Sequence, residues 1–382
     1  MKKFILVPDS FKGTMSSAEI CAIMKERISA YYPNARIISI PIADGGEGTV
    51  DAFLLAMGGE KVYIPVKGPY MEGMEGFYGI VDGGSTAVIE MASCAGLPLA
   101  GNNLNPGKTT TFGVGQMMAD AARRGCKKLI MGLGGSATND FGVGAAAAAG
   151  IRFLDKSGKE FLPVGETLSD IGSIDMTGLL PELAGMEIIT ICDIDNPLYG
   201  KTGAAYVFGP QKGTGPAMVE FLDGQLRAVS DTVKRTLGTD VSSIPGAGAA
   251  GGMGGGMTAF FGSRLQMGIE TVLDTICFDD LLTDTDMVFT EEGKIDMQSL
   301  RGKAAIGVAR RAKKRDVPVV AVVGDIGDGI GEAYEEGICG IFSINRAAIP
   351  FGEAKKRSRQ DLFHTMDNLL RFLIHMDNKP MF

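Results

Sequence analysis

The chain has 382 residues, 45% of them hydrophobic and 21% charged, with 55 glycines and no tryptophan. That length supports two domains with cores of their own, and glycine interleaved with apolar runs reads as tight loops rather than disorder. A net charge of −8 excludes the broad basic surface that nucleic acid or an anionic membrane demands, so neither is expected as a partner.

The opening "MKKFILVPDSF" starts like a signal peptide but meets Pro8 and Asp9 after four apolar residues, so it reads as a first strand. "SSAEICAIMKERISAYY" follows as a helix, with Ser16 and Glu19 spaced as a capping box. "ARIISIPIA" is a strand, "EGTVDAFLLAMGG" a helix stopped by Gly58 and Gly59, and "EKVYIPV" a third strand, giving βαβαβ over the first 66 residues. From 68 to 286 glycine is denser and connections are longer. Strands are expected there at "STAVIEMAS", "KKLIMG", "MEIITICD" and "AAYVFG", in a second α/β or α+β domain. The stretch 241–263 is uncharged but too glycine-rich for a transmembrane helix. The end of the chain resumes the opening rhythm with "DMVFT", helix "LRGKAAIGVARRAKKR", "VPVVAVVG", "GEAYEEG", "ICGIFSI" and a tail helix. Alternating strands and helices imply a parallel sheet covered on both faces.

Six cysteines without a CxxC pair argue against a disulfide framework or structural zinc and fit a reducing cytoplasm. The two histidines, His364 and His375, fall off the tail helix's apolar stripe of Leu362, Met366, Leu369, Leu373 and Met376, so both are expected in solvent. A Ser-His-Asp triad and histidine-based zinc chemistry are thereby excluded.

Acidic residues recur where apolar runs end: Asp9, Asp44, Asp193 and Asp325. In parallel α/β sheets the ligand crevice lies outside the carboxyl ends of the strands, and Mg²⁺ is held by one or two carboxylates with waters and phosphate oxygens. Asp44 and Glu47 in "ADGGEG" suit a metal or a capped turn, and Lys12 in "DSFKG" suits an anion. "GNNLNPGKT" (101–109) misses the P-loop spacing by one residue. "LIMGLGGSATND" (129–140) has two readings. Gly132, Gly134 and Ala137, with Asp155 beyond, match a dinucleotide fingerprint and hence an NAD-dependent dehydrogenase. Yet hydroxyl, amide and carboxylate groups crowd the same turn and suit phosphate, a metal or a reacting hydroxyl better. "FGPQKGTGP" offers Gln211 and Lys212 on a loop. The glycine tract 245–257 lets backbone approach a ligand or forms a packing seam. "EEGKIDMQSLRGK" gathers Asp296, Gln298, Ser299 and Lys303 ahead of a helix. Many anion-friendly loops, metal-grade carboxylates and almost no histidine point to phosphoryl transfer, with an aspartate accepting the substrate proton.

In order along the chain, "DSFKGT", "PIADGGEGTVDAF", "GLGGSATNDFGVGAAAA", "DIDNPLYGKTGAAYVFGPQKG", "PGAGAAGGMGGG" and "GKIDMQSLRGKAAIGVA" resemble the bacterial type I glycerate kinase family. The resemblance implies phosphorylation of D-glycerate by ATP with Mg²⁺, giving 2-phosphoglycerate, with 3-phosphoglycerate the alternative product. It implies a flavodoxin-like parallel-sheet α/β domain, 1–66 plus 287–382, and an inserted α/β domain, 67–286, resembling the restriction-endonuclease fold. The active site is expected in the cleft between them. By the same resemblance Asp9, Ser10 and Lys12 face phosphate, with Asp44 and Glu47 beside them. Ser136, Asn139, Asp140, Asn196, Gln298 and Lys303 bind substrate or phosphate. Asp193 is the base, with Lys12 and Asp44 also catalytic, and Asp44, Glu47 and Asp296 are the metal candidates. One departure stands out: Glu291 replaces a glycine usual in that family. If the turn there needs a positive φ, the substitution strains the backbone by about 1–3 kcal/mol.

Overall fold

A computed structural model describes residues 1–377 apart from 12, 43, 44, 103, 298 and 302. The chain divides into two units, Met1–Ala43 with Gly268–Phe382, and Asp44–Met267. The first unit opens with β1 (Lys3–Pro8) and β2 (Arg36–Ser39). The second carries β3 (Glu60–Lys67), β4 (Gly73–Val81), β5 (Thr86–Glu90), β6 (Lys128–Gly132), β7 (Arg152–Asp155), β8 (Glu160–Phe161), β9 (Ile171–Asp175), β10 (Glu187–Ile191) and β11 (Arg264–Gln266). The chain then returns to the first unit with β12 (Met287–Ile295), β13 (Val319–Ile326) and β14 (Ile338–Ser343).

In the first unit five parallel strands lie in the order β2-β1-β12-β13-β14. Numbered within the unit this is 2-1-3-4-5, the flavodoxin-like doubly wound order, whose switch point falls between β1 and β12. Helices Ser17–Tyr31 and Phe351–Asp377 cover one face, burying Met24, Ile28, Leu362 and Met366 against Phe4, Leu6, Phe289 and Val322. The Ser16–Glu19 capping box starts the first of these helices as expected. Of the two histidines His375 is exposed, while His364 is half-buried with its ring edge-on to Phe363.

The second unit has a six-stranded sheet, β11-β10-β6-β5-β4-β3, parallel through its first four strands and antiparallel at β4 and β3. A separate three-stranded antiparallel sheet runs β8-β7-β9. Two cores form, one around Tyr78, Ile89, Met117 and Met131 and one around Phe141, Phe153, Leu222 and Phe260.

Two expectations are corrected. "EKVYIPV" does not continue the opening βαβαβ, because β3 is one arm of a hairpin with β4 and belongs to the second unit's sheet. Its alternation of exposed and buried positions is that of an antiparallel strand wet on one face, not of a buried parallel one. "AAYVFG" is helical, Ala204–Phe208, rather than a strand, since a short apolar run fixes no period. The chain also divides earlier than the expected joins at 66/67 and 286/287, at 43/44 and 267/268. β3 pairs in the second unit, while helix Gly268–Thr275 pairs its Glu270 with Arg311 of the first, at 2.8 Å.

Candidate functional site

At the switch point of the first unit, the Asp9 backbone N donates to the Glu291 carbonyl O (3.2 Å), and the Ser10 N donates to the Asp9 carboxylate (2.6 Å). Glu291 lies within β12 opposite Pro8 and Val322 and is 0% exposed. It is not among the residues with positive φ, so the expected strain does not arise. The burden is electrostatic instead. Neither carboxylate oxygen of Glu291 has a hydrogen-bond partner among the described residues. Burial, then the charges of Asp9 and Glu292, push its carboxyl well above the usual range. Burial also raises Glu292, but its ion pair with Lys303 (3.1 Å) opposes the shift. Lys303 is thereby tied to a carboxylate, and Asp296 lies 3.7 Å from the Lys294 ammonium in a turn closed by Ser299. Lys12 and Gln298 lie outside the described residues.

In the second unit the carboxyl ends of β5, β6 and β10 are level, with Glu90, Gly132 and Ile191 in register. Gly45 and Gly46 cross these ends against the turn after β6, and Gly134 N donates to Gly45 O (2.8 Å). A Cβ on Gly132 would stand 2.4 Å from the Gly45 oxygen, so bare backbone is needed there. Glu90, buried, accepts from Val50 N (3.0 Å) and so fixes the helix that follows this crossing. Glu47 is exposed on the same loop, and Asp44 lies outside the described residues. Beyond β10, Asp193 is exposed, while Asn196 donates from Nδ2 to Thr202 O (2.8 Å) and accepts at its backbone carbonyl from Gly248 N (3.1 Å).

The turn 133–142 is the most constrained part. Phe141, wholly buried, has φ +58°, and Ala250 opposite has φ +53°, with Phe141 N donating to Gly251 O (3.1 Å). Left-handed backbone at such residues costs about 1–3 kcal/mol apiece and clusters at functional sites. Asp140 ties the turn down: its carboxylate accepts from Thr111 N, Thr111 Oγ1, Gly142 N and Gly144 N. Burial nevertheless raises its carboxyl above the usual range. Ser136, Thr138 and Asn139 are buried, and neither Thr138 Oγ1 nor Asn139 Nδ2 has a partner among the described residues. Such groups cost about 1–3 kcal/mol each. Lys212, 2% exposed, donates to Ser136 Oγ (2.8 Å) and Thr138 O (2.7 Å). The structure thus gathers Ser136, Asn139 and Asp140 in one turn and brings the Lys212 side chain against it. The sequence showed Lys212 only as a loop lysine, and nothing local marked it or Glu90 as partners of this site.

Among the described residues no three acidic, cysteine or histidine side chains gather closely enough to cage a metal. A half-buried Asp296 and an exposed Glu47 fit instead a hard cation held by one carboxylate at a time with nucleotide phosphates and water.

The dinucleotide reading is set aside by this geometry. Gly132 and Gly134 pack on backbone, the helix after the turn begins only at Val143, and Asp155 ends a strand of the separate antiparallel sheet. The sequence profile of the glycerate kinase family matches residues 4–374. The chain belongs to the glycerate kinase family. It is 41% identical to a glycerate kinase of Halalkalibacterium halodurans over 94% of both chains. It is 38% identical to the glycerate 2-kinase of Escherichia coli K12 over 96% of this chain and 97% of that one. A solved structure assigned as glycerate kinase 2 of Salmonella typhimurium LT2 superposes with TM-score 0.87 at 37% identity, covering 99% of this chain and all of the other. Family membership makes the chain a phosphotransferase.

Proposed function

We propose that the chain transfers the γ-phosphoryl group of ATP to the 2-hydroxyl of D-glycerate, releasing ADP and 2-phosphoglycerate. The observation that carries this reading is the buried donor set of the 133–142 turn, Ser136, Thr138 and Asn139 beside Lys212. It offers N–H and O–H groups to an oxygen-rich anion. The E. coli relative named glycerate 2-kinase supports the choice of hydroxyl. Asp193, exposed at the carboxyl end of β10, accepts the hydroxyl proton as the oxygen attacks phosphorus. Ser136, Asn139 and Asn196 orient the substrate or its new phosphate, with Asp140 holding their turn. Asp9, Ser10, Lys12, Gln298 and Lys303 serve the nucleotide phosphates. The candidates that would hold Mg²⁺, which when bound screens phosphate charge, are Asp44 and Glu47 in the second unit and, by itself, Asp296 in the first. Phosphorus NMR of the product from D-glycerate and Mg-ATP tests the reading: 2-phosphoglycerate is expected, and 3-phosphoglycerate or no phosphorylated product contradicts it.

A further inference from the structure

Lys212 is buried, with no carboxylate bonded to it among the described residues. Among the described ion pairs none involves it, and its ammonium is satisfied by a hydroxyl and a carbonyl, Ser136 Oγ and Thr138 O. An ammonium has three donors, so these two bonds leave one for another acceptor. Thr138 Oγ1 and Asn139 Nδ2 in the same turn, and Thr214 Oγ1 two residues past Lys212, are buried and unpartnered. Four donors in two adjoining segments therefore lack an acceptor among the described residues.

We propose that Lys212 is the cation of this site, holding Ser136 in place and pairing with an anionic oxygen group of the ligand. This rests on the reading of the 133–142 turn as a ligand site. The shared chemistry is a carboxylate or a phosphoryl group, from glycerate or from the nucleotide. Burial pulls the ammonium from its usual 10.5 to about 7, and of the described charged groups Asp140 is the one that opposes this. Asp140 is itself occupied by the Thr111, Gly142 and Gly144 donors. Near neutral pH the protein before ligand binding thus holds Lys212 only partly charged, and an arriving anion completes its protonation.

Isothermal titration of D-glycerate, and separately of Mg-ADP, at pH 7 in buffers of different ionisation enthalpy reads affinity and proton uptake together. One of the two ligands is expected to bind the wild type with uptake of about half a proton, and to weaken about tenfold between pH 6 and pH 8. Lys212→Met removes the uptake and weakens that ligand about tenfold or more, with the other ligand little changed. Lys212→Arg, permanently charged, binds it without uptake and with equal strength at both pH values, and it decides the matter should the methionine variant fail to fold. Uptake persisting in either variant, or wild-type binding of both ligands with none, overturns the role of Lys212. If the wild type binds neither ligand, the site reading itself fails.

Discussion

Glu291 brings a carboxyl group into the apolar side of the first unit's sheet, beside Asp9 and with no partner among the described residues. Because its folded pKa lies above the unfolded one, the folded state holds the extra proton. Stability is then undiminished at low pH and falls as pH rises from the ordinary carboxyl range through the raised folded pKa. Glu291→Gln keeps the shape and removes the titration. The gap between its denaturation midpoint and that of the wild type should widen in the variant's favour as pH rises from 5 to 8, leaving the variant about 1–3 kcal/mol more stable at the upper end. Parallel curves for the two proteins would show that Glu291 finds a partner in solution. Asp193 makes the opposite test, since it is exposed and the loss of this proposed base should remove chemistry rather than packing. Asp193→Asn should lower kcat by roughly 10²–10⁴ with an unchanged melting temperature, and near-normal turnover removes it as the base.

Helix Ala249–Phe261 shows how an element sets the site. A Cβ on Gly256 would lie 1.9 Å from the Phe141 carbonyl oxygen, so the glycine tract lets this helix press on the strained turn. Gly256→Ala is expected to destabilise by about 1–3 kcal/mol and to raise KM for the ligand held by Ser136 and Asn139. Chemical denaturation and steady-state kinetics on the same sample check both, and an unaltered KM would separate the seam from the site. The tract's two readings, ligand approach or packing seam, were not separable from composition; what decides for the seam is the turn it meets, Phe141 and Gly142, more than a hundred positions earlier. The strands of the flavodoxin-like sheet were legible because each is a short apolar run followed by a turn residue. β4 was not, since "GMEGFYGIV" is broken by glycines, and without it β3 looked like the close of the opening motif.

At the scale of the molecule, the sheet order of the first unit and the level strand ends of the second each place acidic and donor residues where α/β folds bind ligands. Asp9, Ser136, Asn139 and Asp193 stand out as candidates in the sequence because turn and strand-end residues of those types announce themselves locally. Lys212 does not, because its meaning comes from burial against Ser136, 76 residues away in the chain. The same holds for Asp140, whose residue type suggests a ligand contact while its environment makes it the anchor of a turn. The measurement that bears most directly on the whole account is the rate of ADP release from ATP as D-glycerate and Mg²⁺ are varied independently. The account predicts turnover that saturates with D-glycerate and disappears when Mg²⁺ is chelated. ADP release that ignores D-glycerate, or no release with both present, would contradict it.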